Sequence, residues 1–198
     1  MSTISDGLDD LHIVCEPRDV VANIIAIHGY NGDWKSTWTS SSAPVFFWLK
    51  DGLVVDLPHH RVLSFAYDPT VSKIEAASSR LLWALDVKFQ SRESRSLPII
   101  FIAEGLGGIV AKLAILKSPV SERYQFVGSN TRATCFFGTP HHGLSKAKTL
   151  QLSVTSKDSV LVDSINEQFS HFVPHQRLIS FYETRPTQPS NSVVLDKA

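Results

Sequence analysis

The stretch Glu104-Gly105-Leu106-Gly107-Gly108 lies between the apolar run Pro98 to Ala103 and a segment that carries Ile109, Val110, Leu113 and Leu116 at helical spacing as far as Lys117. A buried strand, a tight glycine-bearing turn and a helix are expected there, with the turn at the sheet end and the helix N-terminus. A carboxylate at such a turn, here Glu104, could act as a general base if its pKa is raised or a water bridges it to substrate. As an ordinary turn residue it would face solvent. The histidines are the other candidates for chemistry, and they fall as His28 in a His-Gly pair, as His59-His60 and as His141-His142. Adjacent histidines usually diverge in direction, and no Cys, His or Asp stands at ligand spacing from them. Neither a metal nor another cofactor is predicted.

As a motif, Ala103-Glu104-Gly105-Leu106-Gly107 parallels G-x-S-x-G, the nucleophile elbow of α/β-hydrolases, in which a strained turn holds a serine oxygen above the sheet. Ala103 in place of the first glycine is a mild change. Gly105 in the serine position is of another kind, because without a hydroxyl neither histidine-assisted attack nor an acyl-enzyme is possible there. The turn itself can persist, since glycine tolerates unfavourable backbone angles. A phosphate-loop reading is weak, because Gly105, Gly107 and Gly108 do not spell G-x-G-x-x-G. A second signal is the apolar run Asn23 to Ile27, which ends at His28-Gly29-Tyr30-Asn31-Gly32. In lipase-like folds a His-Gly loop after an early strand gives a backbone N–H to the oxyanion hole, partnered by the N–H of the residue after the nucleophile. Here those donors are Tyr30 and Leu106, with His28, Gly29, His141 and His142 as candidate pocket residues. The plainer reading is a glycine-rich turn with a structural His28.

The elements that must position these residues alternate between short β-branched runs and amphipathic stretches, which predicts an α/β fold with a mostly parallel sheet. Strands are expected at Asn23 to Ile27, Val62 to Tyr67, Pro98 to Ala103, Ala133 to Gly138 and Arg177 to Tyr182. Helices are expected at Lys73 to Gln90, Leu106 to Lys117 and Ser159 to Phe172. Residues 1–21 read as an N-terminal extension and 22–198 as one domain, incomplete at its C-terminus because Ser192 to Leu195 starts an element just before the end. The aromatic-rich loop Trp34 to Trp48 could line an acyl pocket or pack over the sheet. Basic and acidic residues balance at 19 each, so the electrostatic footprint of a nucleic-acid binder or of a protein docked on an anionic membrane is missing. No stretch is long enough to span a membrane. Two cysteines, Cys15 and Cys135, are too few for a disulfide framework, and a cytoplasmic setting is expected. A sheet edge left open by the Arg177 to Tyr182 strand predicts self-association.

Four segments in order, IAIHGYNGDWKSTW, WLKDGLVVDLPHHRVLSFAYDPTV, PIIFIAEGLGGIVAKLAIL and TRATCFFGTPHHG, resemble the serine-active-site lipase/esterase-like family, in particular fungal domains found at the N-terminus of NACHT or NB-ARC signalling proteins. The resemblance spans Ala22 to Val194 and implies an α/β-hydrolase fold, a mostly parallel sheet with helices on both faces, truncated at its C-terminus. The family's Gly-His-Ser-Leu-Gly-Gly falls on Ala103 to Gly108, so it puts the nucleophile position on Gly105 and leaves it vacant. His142 stands where arginine is usual in the family, and Glu183 is the implied triad acid. Triad order in this fold is nucleophile, acid, histidine, and no histidine follows His175 in the sequence, so the base is implied to be missing as well. The expected function is a degenerate hydrolase, binding an acyl or lipid-like molecule or a protein partner as an accessory or signalling module. The alternative is an active ester or lipid hydrolase, or an acyltransferase of fungal secondary metabolism, using Glu104 with assistance from His28, His141 or His142.

Overall fold

The computed structural model describes residues 10–69, 73–141, 156–172 and 176–182. Its six strands are β1 (Leu11–Cys15), β2 (Ala22–Ile27), β3 (His60–Phe65), β4 (Ile99–Glu104), β5 (Thr131–Phe137) and β6 (Arg177–Phe181). The helices are α1 (Val54–Asp56), α2 (Ile74–Lys88), α3 (Arg92–Ser96), α4 (Gly107–Lys117), α5 (Gln125–Asn130) and α6 (Ser156–Phe172). A run without polar alternation needs cover on both faces. Accordingly β2 is buried at all six positions and sits centrally in a sheet of order β1-β3-β2-β4-β5-β6. All neighbouring strands run parallel except β1, which pairs antiparallel with β3.

The register carries one alternation across the sheet: Ile25 pairs with both Leu63 and Phe101, and Phe101 with Thr134. Ile25, Leu63, Phe101 and Phe136 therefore share a face, where they pack with Leu81 and Leu85 of α2, Ile109 and Val110 of α4, and Val162 and Phe169 of α6. Ile24, Ala26, Val62 and Ile102 face the other way, against Trp38 and Leu49, with Trp48 and Phe137 partly buried beside them. Helix α4 is buried along most of its length, Lys112 included, as expected of a helix wedged between a sheet and two further helices. Buried Asp86 accepts from Arg95 and Arg123, which fastens α3 and the chain ahead of α5 to α2.

The strands and helices expected from the sequence form, with ends shifted by a few residues. Leu11–Cys15 is a correction, because it is an edge strand of the sheet and not part of an N-terminal extension, tied down by the Arg80 bond to Asp10 just ahead of it. Not anticipated were the π-helical turn Leu49–Leu53 that runs into α1, and the short helices α3 and α5. Cys15 and Cys135 are both free thiols, and burial raises the pKa of Cys135. Strand β6, whose edge was expected to drive self-association, exposes Leu178, Ile179 and Phe181. Among the described residues, no helix is long and apolar enough to cross a membrane.

Candidate functional site

The turn after β4 is built by close approach. A Cβ at Gly107 would lie 2.4 Å from the carbonyl oxygen of His28, and one at Gly108 would lie 2.1 Å from Thr139 Oγ1. Only glycine at those two positions lets α4 start directly against β2 and the loop after β5. Gly105 differs from both. Its φ is +52°, in the left-handed region, yet among the described residues a Cβ there would meet only Gly29 Cα, at 3.6 Å. The backbone at 105 thus has the conformation of a sharp strand-to-helix turn, with room for a side chain among the described residues. Its N–H donates to the Phe137 carbonyl at 2.8 Å, and its carbonyl accepts from Gly108 at 3.2 Å.

Gly29 faces this turn. Its N–H donates to Glu104 Oε2 at 2.7 Å, and a Cβ at Gly29 would lie 2.3 Å from that same oxygen. The Glu104 carboxylate therefore rests on the His28-Gly29 loop and does not simply lean into solvent. Gly32 N–H returns to the Gly29 carbonyl at 3.2 Å, with Asn31 at φ +58° closing the loop. Tyr30 is half-buried in it, and Leu106 is buried at the start of α4. The structure thus gathers His28, Gly29, Tyr30, Glu104, Gly105 and Leu106 at the C-terminal ends of β2 and β4.

His28 has a structural place in that group. It is 1% exposed, its Nδ1 is 3.0 Å from the Gly29 carbonyl, and its Nε2 lies 3.5 Å from the Tyr67 N–H. That pattern assigns a neutral ring protonated at Nδ1, in line with a pKa lowered chiefly by burial. The ring stacks on Tyr67 at 4.6 Å, and the Tyr67 hydroxyl donates to the His28 carbonyl at 2.8 Å. Burial and, second, the charge of Glu104 raise the pKa of Tyr67.

Beside the turn opens a cleft of about 420 Å³, lined by Glu104 and by the aromatic side chains of Trp38, Phe46, Trp48 and Phe137. Its wall is made partly by the loop Trp34 to Trp48, which the sequence left as either pocket lining or packing. It does both, since Trp38 is 7% exposed and also lines the cleft.

His141 is placed elsewhere, on the α4 side of β5. Its Nδ1 lies 2.7 Å from Lys112 Nζ, its Nε2 3.3 Å from Ser180 Oγ, and its ring stands edge-on to Phe136. Lys112 also donates to Asn166 Oδ1 at 2.7 Å and lies over the rings of Phe136 and Phe169 at 5.1 and 5.5 Å. Burial brings its pKa down to about 7. Sequence reading missed this cluster, though a lone lysine within the apolar helix of GGIVAKLAI was a signal that it must find partners. His142 and Glu183 lie outside the described residues. Among the described residues, no group of three His, Cys, Asp or Glu gathers as a metal site.

A mostly parallel sheet carrying a glycine turn from β4 into α4 is the α/β-hydrolase fold, and solved lipases and esterases share it. The lipase BlEst2 of Bacillus licheniformis superposes with a TM-score of 0.55 at 14% identity, covering 89% of this chain and 73% of that one. A cutinase-like protein from Cryptococcus gives 0.51 at 14% identity, covering 84% and 78%. In sequence, the chain is similar to Protein SERAC1. The mouse protein is 26% identical over 219 residues, 92% of this chain and 33% of its own length. The human protein is 24% identical over 234 residues, 98% of this chain and 36% of its own length. The chain spans about a third of the curated relatives it matches. These relatives are animal proteins and not the NACHT-associated fungal domains of the sequence expectation. No family model matches the chain.

Proposed function

We propose that this chain is a degenerate α/β-hydrolase domain that binds a ligand in the cleft beside the β4–α4 turn and does not cleave it through a serine. The observation that carries this reading is Gly105, at φ +52° on the tip of the turn, where a serine hydrolase holds its nucleophile. Glycine brings no oxygen to a carbonyl carbon. In a serine protease, loss of the nucleophile alone lowers kcat roughly a millionfold. Glu104 supports the same reading. Its carboxylate rests on the Gly29 N–H, so a carboxylate lies against the loop that would otherwise receive an oxyanion, and a like charge developing near it is opposed. Tyr30 and Leu106 remain the candidate N–H donors of that loop and turn, and an accessory or signalling role follows from binding without turnover.

Replacing Gly105 by serine tests the account. Among the described residues its Cβ would meet nothing closer than 3.6 Å. Neither wild type nor Gly105→Ser is expected to hydrolyse short acyl esters. Ester turnover by the wild type that disappears in Glu104→Ala would support the opposing reading, in which Glu104 is the base of a non-standard active site.

A further inference from the structure

On the opposite face of the sheet from the β4–α4 cleft, Lys112 is set apart from the lysines of the surface. It is 3% exposed, and its Nζ lies 2.7 Å from His141 Nδ1 and 2.7 Å from Asn166 Oδ1. Two such bonds use both N–H groups of a neutral amine and leave its lone pair over. Among the described residues, no carboxylate forms an ion pair with it. Asp163 and Glu167 of α6 are exposed, while Phe136 of β5 and Ser180 of β6 carry no charge, so His141 is the titratable group that faces it among those residues. Burial brings the amine to a pKa of about 7, so near neutral pH a large share of it is uncharged. Lys112, His141, Asn166 and Ser180 line a cavity of about 410 Å³ among the described residues, a volume typical of small-molecule sites.

An uncharged amine is the nucleophile in imine formation, and desolvation is one of the ways a lysine is activated for it. Burial favours that reaction, because amine, aldehyde and imine are all neutral. We propose that Lys112 is a reactive amine that captures a small uncharged aldehyde as an imine, with His141 moving the protons. The Nζ lone pair forms the C–N bond while the carbonyl electron pair moves to oxygen. His141 Nδ1, within hydrogen-bond reach of Nζ, passes the two Nζ protons in turn to that oxygen, which leaves as water as the C=N bond closes. No oxidant or reductant is consumed.

Butanal with cyanoborohydride, applied briefly to the full chain at pH 7 and followed by peptide mass mapping, tests the proposal, because reduction fixes the imine as a secondary amine. A lysine of ordinary pKa is neutral in about one molecule in a thousand at that pH, so Lys112 is expected to be alkylated at least about tenfold faster than the exposed Lys35 and Lys50. Lys112→Met should remove that adduct and leave those at Lys35 and Lys50 unchanged. His141→Gln offers an acceptor to Nζ but relays no proton, and it should slow labelling at Lys112 alone by about tenfold, with melting unchanged. An unaltered Lys112 rate in His141→Gln would overturn the relay. Labelling of Lys112 no faster than of Lys35 and Lys50, or its absence, in protein whose circular dichroism shows it folded, would overturn the reactive amine itself. Ester turnover through a serine bears on the degenerate-hydrolase reading and leaves this result untouched.

Discussion

Strand β5 divides two pockets of similar size and opposite character. Phe136 points to one, about 410 Å³ in volume, and Phe137 to the other, about 420 Å³. On the Phe136 side, Lys112 bonds both His141 and Asn166, which links α4 to α6 and to the loop after β5. On the Phe137 side, Glu104 stands among aromatic walls with its carboxylate fixed by a backbone N–H. The contrast separates two kinds of pocket. Polar residues that bond each other tie structural elements together, whereas a concave wall of aromatic rings offers apolar surface to something that enters it.

Substitution of the two neighbouring phenylalanines should draw this line most sharply. Phe136 is 1% exposed in the main core, so Phe136→Ala is expected to cost about 3–5 kcal/mol in urea denaturation. Phe137 is half-buried at the cleft, and Phe137→Ala should cost nearer about 1 kcal/mol while weakening ligand binding. Equal losses of stability would break the comparison.

Lys112 gives the next largest effect, as a dependence on pH. Burial lowers its pKa from 10.5 to about 7, so between those two values the unfolded chain binds more protons than the folded one. Its contribution to stability therefore rises with pH across that window, and the cost of the buried ammonium is fully present below pH 7. The difference between wild type and Lys112→Met, followed as unfolding free energy from urea titrations against pH, should change by on the order of a few kcal/mol over the window. A flat difference would mean that Lys112 is well hydrated in the folded protein.

Gly105→Ser should be the mildest change. It adds a side chain that meets only Gly29 among the described residues, at a φ of +52°, so a loss of about 1 kcal/mol is expected on thermal melting. A much larger loss would show that the turn has repacked around glycine.

The strands β2 and β4 and the helix α4 were legible because continuous apolar runs and helical periodicity are local properties. Strand β1 was not, since Leu11–Cys15 is a short edge strand with mixed exposure, and an edge carries no long apolar run. The glycine turn and the His-Gly loop were legible from spacing within a few residues. Their joining was not, because the bond between Gly29 and Glu104 spans 75 positions. The partners of Lys112 lie 29 and 54 positions away, so its cluster was hidden for the same reason. His28 was assigned to a pocket from its glycine neighbour, but both of its ring nitrogens face backbone groups of the fold.

The central claim is that no serine of this chain acts as a nucleophile, and labelling with a fluorophosphonate probe tests it directly. Intact-mass analysis of the folded protein after exposure should show the unmodified mass, with Gly105→Ser measured alongside. Stoichiometric addition to a serine of the wild-type chain would contradict the account and make the protein a serine hydrolase with its nucleophile away from the β4–α4 turn.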